Sequence, residues 1–331
     1  MTTNNSARPA TCSRSSKQSL NIATMVTIFL AAIGPSLNGS STPHPSFRVE
    51  VTGHGRPMIL IPGLASSGDT WKSTVEHFKG EYECHVLTLA GFAGVPPITT
   101  PLLPAVDNEL AAYIRDNHLE KPIIVGHSLG GNLALLFAVE HPNQAGPLVI
   151  VDSLPFLAGA WFQVKTLDEA KPMIESMHAY MGSQSLEQYE AYVRAGAATK
   201  YMATSPTDWE TIKQWGLASD RKTVADAMYA LLNEDPRPEL GKITAPALVL
   251  GTWSGLHEQL SAYGKDAPRE QFIQTFQAQY QNLCQLHFAM ADSARHFIMF
   301  DDPQWFFAQV DAFLRDPGKM VQERGFDAPG R

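Results

Sequence analysis

Cysteine is scarce in this chain: three residues in 331, at positions 12, 84 and 284, with no C-x-x-C pair. That excludes a disulfide-stapled scaffold and a zinc ribbon. Basic residues are outnumbered, with Lys+Arg 25 against Asp+Glu 33 and a formal charge of −8, so no global positive surface draws the chain to nucleic acid or anionic lipid. There is no H-E-x-x-H segment, and His257-Glu258 and Cys84-His85 lack further ligands at useful spacing. No G-x-G-x-x-G follows a strand pattern either. Metal and dinucleotide sites are thereby disfavoured, and cofactor-free chemistry is expected. What the chain does have is apolar mass. With 44% hydrophobic and 18% charged residues, it can fill one large domain of about 200–280 residues plus an appendage, or two ordinary domains.

The N-terminal leader is rich in Ser, Thr and Asn, carries Arg8, Arg14 and Lys17, and runs into an apolar stretch from Ile22 to Ile33. That stretch is too short to span a bilayer comfortably and suits the core of an export signal. Gly34-Pro35 ends it, and Asn38-Gly39-Ser40-Ser41 is small and polar where processing would occur. Residues 1–42 therefore read as a leader cleaved somewhere in 33–42, giving a secreted or periplasmic protein with no stable membrane insertion. Left uncleaved, the same segment would act as a membrane anchor. Cleavage would remove Cys12 and leave Cys84 and Cys284, expected on well-separated strands as two unpaired thiols.

From residue 46 short apolar runs alternate with amphipathic segments. Phe47–Val51 alternates as a half-buried strand, and Met58–Ile61 is a continuous apolar run ending at Pro62-Gly63, as a central strand buried on both faces would be. A helix is predicted over 70–79 and a strand over His85–Leu89. Val106, Leu110 and Ile114 recur every four residues on a helix that stops before Pro122. Ile123–Val125 and Leu148–Val151 read as strands and Leu129–Glu140 as a helix, which together predict an α/β domain with a mostly parallel sheet covered on both faces. Residues 153–240 break this rhythm with helical segments carrying Met173, Met177, Met181, Met202, Met228, Trp161, Trp209 and Trp215. Strand signals return at Ala247–Leu250 and around Gln285–Met290. The expected organisation is core over 43–152, an inserted helical cap over 153–240, and core again over 241–331, since structureless loops of that length are rare in compact domains.

One motif stands out. Gly126-His127-Ser128-Leu129-Gly130 follows a strand directly and opens a helix. A strand-to-helix turn that sharp forces the serine into a strained backbone conformation, and small residues two before and two after it let neighbouring segments approach. The hydroxyl is presented beside a helix N-terminus that favours negative charge. The base that such a serine needs is best sought at His296, in Ser293-Ala294-Arg295-His296-Phe297, after the last predicted strand and before a helix that Asp302 can cap with Pro303 in its first position. His127 is expected to pack or hydrogen-bond, and His287 to be structural.

These segments resemble the α/β-hydrolase superfamily from about Phe47 to Leu314, with the cap as its variable insert. Gly126–Gly131 looks like the family's nucleophile elbow, Met58–Trp71 like its oxyanion loop, and the segment around His296 like its histidine loop. The resemblance implies Ser128 as nucleophile, His296 as general base, and the amides of Leu64 and Leu129 as oxyanion donors. Pro62-Gly63 stands where many members have His-Gly. Members commonly place the orienting acid after the strand that follows the cap, but Gly251-Thr252-Trp253-Ser254-Gly255-Leu256 contains no carboxylate. Asp152, at the end of the strand after the elbow, matches a position that some members use and is the first choice. Glu258, Asp266 or no acid at all remain open. The expected reaction is hydrolysis of small-to-medium apolar carboxylic esters through an acyl-enzyme. Lactone, amide or peptide, and carbon–carbon hydrolysis stay open on the same residues, and a non-catalytic small-molecule receptor is the rival from another class. The serine in the elbow disfavours a haloalkane dehalogenase, whose nucleophile is an aspartate.

Overall fold

The central strands form where β-branched and aliphatic residues run uninterrupted, whereas the first strand alternates apolar and polar residues. In the computed structural model, residues 44–318 other than 263 and 266 are described. The leader, its processing region and Asp266 lie outside them. The strands are β1 (Phe47–Gly53), β2 (Arg56–Ile61), β3 (Tyr82–Leu89), β4 (Ile123–His127), β5 (Leu148–Val151), β6 (Ala247–Gly251) and β7 (Leu286–Met290). They make one sheet in the order β1-β3-β2-β4-β5-β6-β7. β1 pairs antiparallel with β3 at one edge, and every other neighbour pair is parallel. Parallel strands need crossovers, and the helices supply them. Those of the core are α1 (Lys72–Phe78), α2 (Leu102–Asp116) and α3 (Leu129–Glu140). The insert contributes α4 (Leu157–Phe162), α5 (Leu167–Ser183), α6 (Leu186–Ala195), α7 (Pro206–Leu217) and α8 (Arg221–Leu232). After β6 come α9 (Ser254–Ala262), α10 (Arg269–Tyr280), α11 (Ile298–Asp301) and α12 (Pro303–Arg315).

Because side chains alternate across a strand, the continuous apolar runs divide between two layers. Ile59, Ile61, Ile124, Leu148, Ile150 and Val249 pack with residues of α2, α3 and α10 on one face. Met58, Leu60, Ile123, Val125, Val149, Val151, Leu248 and Leu250 pack with Trp71, Phe78, Phe306, Val310 and Phe313 on the other. Several element boundaries differ from expectation: β1 runs on to Gly53, β2 starts at Arg56 and β4 runs on to His127. The strand predicted at His85 begins at Tyr82, because Tyr82, Glu83 and Cys84 pair with Arg56, Pro57 and Met58. The helix predicted over 70–79 divides into a 3-10 turn, Gly68–Trp71, whose first turn the Ser67 hydroxyl caps at Asp69 N–H, followed by α1.

The insert has its own small core. Phe156, Ala158, Ala170, Ile174 and Leu232 cluster there, with Met177 and Met228 against them. Among the hydrogen bonds that join it to the sheet domain are three groups. Asp220 N–H donates to Gly91 C=O at 2.7 Å and Gly94 N–H to Ala218 C=O at 2.9 Å. Gln279 of α10 clamps Phe156 from both sides, accepting from its N–H at 2.9 Å and donating to its C=O at 3.0 Å. Third, Phe297 N–H donates to Met202 C=O at 3.0 Å. No helix among the described residues is long and apolar enough to cross a membrane.

Cys84 is buried on β3, whereas Cys284 is exposed just before β7, at the far edge of the sheet. Burial pushes the Cys84 thiol up to about 11, so little thiolate forms near neutrality. Alkylation of the native protein followed by peptide mapping is expected to modify Cys284 and to reach Cys84 only after unfolding. Gln279→Leu strips the buried Phe156 N–H of its acceptor, and urea denaturation is expected to show a loss of about 1–3 kcal/mol.

Candidate active site

β4 runs into α3 through a single residue, Ser128, with φ 54° and ψ −118°. A non-glycine residue there costs about 1–3 kcal/mol and persists only when its surroundings over-determine it. They do so by hydrogen bonding and by close packing. Ser128 N–H donates to Val151 C=O at 2.9 Å, and the Gly131 and Asn132 N–H groups donate to Ser128 C=O at 2.9 and 3.1 Å. A Cβ on Gly126 would lie 2.2 Å from Gly130 O, and one on Gly130 would lie 2.2 Å from Ile61 O. Nothing larger than glycine fits at either position, which is the physical content of the two glycines in the motif. The Leu129 amide sits in the first turn of α3, where main-chain N–H groups have no intrahelical acceptor.

The loop after β2 abuts this turn. A Cβ on Gly63 would lie 3.2 Å from Ser128 Cβ, and next along the loop come Leu64, partly exposed, and Ala65, with φ 53°. Ser66 closes the loop on itself, its N–H donating to Gly63 C=O at 3.3 Å and its hydroxyl to Leu64 C=O at 3.2 Å.

Asp152 follows β5 with φ 43°, a left-handed conformation that aspartate tolerates better than most residues. Its N–H donates to Leu250 C=O at 2.7 Å. One carboxylate oxygen, Oδ1, accepts from Thr252 N–H at 3.1 Å; the other, Oδ2, lies 2.6 Å from His296 Nδ1. An ionised carboxylate can only accept, so the proton on that side of the ring is assigned to Nδ1, which leaves Nε2 as the basic nitrogen. The residue after Asp152 is anchored as well, by Tyr280 OH donating to Ser153 C=O at 2.8 Å. Burial, and then the negative charge of Asp152, push the Tyr280 phenol well above its ordinary range, so it stays a neutral donor.

Glu258, the alternative acid, is engaged elsewhere. Its Oε2 accepts from Arg295 Nη2 at 2.7 Å and its side chain is 48% exposed. Arg295 also donates through Nη1 to Ala203 C=O at 2.9 Å and to Lys200 C=O, while its N–H donates to Asp301 Oδ2 at 2.8 Å. Asp301 in turn accepts at Oδ1 from the N–H and hydroxyl of Thr204, both at 2.7 Å. The segment before His296 is thus fastened to the insert. Asp302 caps α12 by accepting from Trp305 N–H at 3.1 Å, which fixes where that segment ends.

Three contacts could not be foreseen from side-chain types. Where a family carboxylate commonly sits, this chain supplies the Thr252 N–H to Asp152, and the Ser254 hydroxyl donates to Ala294 C=O at 2.8 Å. His127, fully buried, reaches the main chain of His296, with Nε2 2.9 Å from its carbonyl oxygen. Burial, and secondarily the charge of His296, hold the His127 imidazole well below its ordinary range. His287 is buried beside Phe313, with ring centroids 5.3 Å apart. Among the described residues, no group of three or more His, Cys, Asp or Glu side chains is arranged to hold a metal ion.

A mostly parallel sheet sandwiched by helices, with a strained serine between strand and helix and a helical insert after the next strand, defines the α/β-hydrolase class of fold. The α/β hydrolase family model matches residues 58–309, and the chain belongs to that family. Similar sequences include a candidate carbamate hydrolase, RutD, of Yersinia enterocolitica, 27% identical over 61% of this chain and 72% of that protein. A pimeloyl-acyl-carrier-protein methyl ester esterase of Vibrio atlanticus is 27% identical over 62% of this chain and 79% of its own. Among solved structures, a thermophilic esterase of Thermogutta terrifontis matches 82% of this chain and 94% of its own, with TM-score 0.66 at 20% identity. An enol-lactonase of Burkholderia xenovorans covers 82% and 96%, with TM-score 0.64 at 14% identity.

Gly130→Ala forces a methyl group against the Ile61 carbonyl. It is expected to lower the unfolding free energy by about 1–3 kcal/mol in urea titration.

Proposed function

We propose that the protein is a serine hydrolase that cleaves carboxylic esters of small-to-medium apolar substrates through an acyl-enzyme. The observation that carries this is the 2.6 Å contact between His296 Nδ1 and Asp152 Oδ2, at the carboxyl end of the sheet, where the strained Ser128 follows β4. Ser128 Oγ attacks the ester carbonyl carbon while its proton passes to His296 Nε2. Asp152, held by Thr252 N–H, keeps the ring oriented and stabilises the imidazolium that forms. The negative charge on the former carbonyl oxygen is taken by the Leu129 and Leu64 amides. Two such fixed donors lower a barrier by several kcal/mol. When the intermediate collapses, the C–O bond to the alcohol breaks and His296 returns the proton to the departing oxygen. Water then attacks the acyl-enzyme with His296 as base, releasing the acid and restoring Ser128.

The ester preference draws support from the methyl ester esterase and esterase relatives. The apolar preference rests on the aliphatic, Met and Trp side chains of the insert, although Met177 and Met228 serve its own packing. Lactones, amides and carbon–carbon bonds are separated from esters by the pocket rather than by the triad. A chain with no carboxylate for His296 would favour the receptor, and the Asp152 pairing with His296 speaks against that. The segment 1–42 is proposed to direct export. N-terminal sequencing of protein recovered outside the cytoplasm is expected to begin within about ten residues after position 33.

A panel of p-nitrophenyl esters of graded acyl length, run beside lactone and anilide substrates, is expected to give the highest kcat/KM on short to medium esters. A serine-directed phosphonate is expected to label Ser128. Ser128→Ala should lower kcat/KM by about four orders of magnitude or more. Asp152→Asn should lower kcat by at least about a hundredfold with folding intact. No turnover and no labelling of the folded protein would point to the receptor instead.

A further inference from the structure

We infer that His127 is a positioning residue for His296: its Nε2–H holds the main-chain carbonyl of His296, and its ring ties the histidine loop to the elbow and to the loop after β2. The inference rests on the proposed roles of Ser128 and His296 but concerns a residue to which they assign nothing. A carbonyl oxygen can only accept, so the 2.9 Å contact with His296 O requires the proton on Nε2 of His127. The other nitrogen, Nδ1, is buried and has no hydrogen-bond partner. It faces Gly63, where a Cβ would lie 3.0 Å away. A protonated ring would bury an unpartnered N–H at that point, so the geometry selects one neutral tautomer.

The ring contacts agree. His127 lies with its centroid 4.5 Å from that of His296 and 4.5 Å from that of Phe297, and meets Trp71 edge-on at 6.5 Å. The titratable group facing it across these contacts is His296, itself hydrogen-bonded to Asp152. During turnover His296 carries a positive charge, and a neutral His127 keeps its grip on the carbonyl while adding no repulsion. One residue N-terminal to Ser128, it makes the distance between Ser128 and the His296 main chain a matter of one side chain and one hydrogen bond. Such spacing matters because a shift of about 1 Å can cost about a hundredfold in rate.

The test uses the full chain with His127→Gln, which keeps an N–H donor of similar reach, and His127→Leu, which keeps the bulk and removes the donor. On a short p-nitrophenyl ester, His127→Leu is expected to lose about a hundredfold in kcat with KM changed by less than about threefold, and His127→Gln to recover at least about tenfold of that loss. Ring-nitrogen NMR of histidine-labelled wild type should show His127 as the neutral Nε2–H tautomer from about pH 5 to about pH 9. The low-field His296 Nδ1–H signal should persist in His127→Gln and shift or broaden away in His127→Leu. Equal loss in both variants, an unchanged low-field signal in His127→Leu, or a wild-type His127 that titrates in this range would overturn the inference. If His127→Leu does not fold, the wild-type tautomer and the His127→Gln signal decide. If the wild type turns over no ester, the proposed hydrolysis fails, while the NMR arm still decides what His127 does.

Discussion

Parallel strands all point their carboxyl ends the same way, and the residues just past β4, β5 and β7 are tied there by main-chain hydrogen bonds to the last residues of β5 and β6. Ser128 N–H reaches Val151 C=O, Asp152 N–H reaches Leu250 C=O, and Ala291 N–H reaches Gly251 C=O, at 2.9, 2.7 and 2.9 Å. This continuation of the ladder beyond the strands sets the spacing of everything else in the site. Neighbouring strands lie about 4.8 Å apart. Side chains leaving consecutive strand ends are therefore close enough to meet without long reaches, and the rigidity of the sheet is passed to them.

Strain and burial supplement that spacing. Ser128 is held at positive φ by three main-chain hydrogen bonds and by glycines whose lack of a side chain lets β2, β4 and α3 close on one another. Asp152, also at positive φ, presents one carboxylate oxygen to a backbone donor and the other to the imidazole. A hydrogen bond to a charged group contributes about 1.5–3 kcal/mol, and the carboxylate's two fixed partners leave it little freedom to turn away. In this chain the main-chain N–H of Thr252, just after β6, is one of the two partners of that carboxylate.

The insert is fastened beside the residue after Asp152 and on either side of His296. Its first turn is gripped by Gln279 next to the anchored Ser153, its middle by the turn at Gly91–Gly94, and the segment around Met202 by Arg295 and Phe297 on either side of His296. Hydrogen bonds thereby fasten the segment 199–204 to the loop that carries His296. The ion pair of Arg295 with the half-exposed Glu258 is one strand of that fastening, and an exposed pair by itself contributes little. The carbonyls of Lys200 and Ala203 add the directional constraint.

Much of the architecture was legible because buried parallel strands leave continuous apolar runs, as at Met58–Ile61 and Leu148–Val151, and because a strand, G-x-S-x-G and a helix in succession admit few other conformations. Boundaries such as Tyr82 were not legible, since it is pairing with β2, a partner that local pattern does not reveal, that extends β3 beyond the apolar run. The contacts of His127 with His296, of Thr252 with Asp152 and of Arg295 with Lys200 and Ala203 were hidden too, because each is made to or from main-chain groups that carry no side-chain signal. By itself the sequence determined the alternation of layers, the turn at Ser128 and the presence of a histidine loop near the C-terminal end. Only the tertiary structure decided which carboxylate meets His296. Asp152 lies 144 residues away in the chain, and the adjacency of β5 and β6 in the sheet, not any local pattern, brings it there while Arg295 draws Glu258 aside.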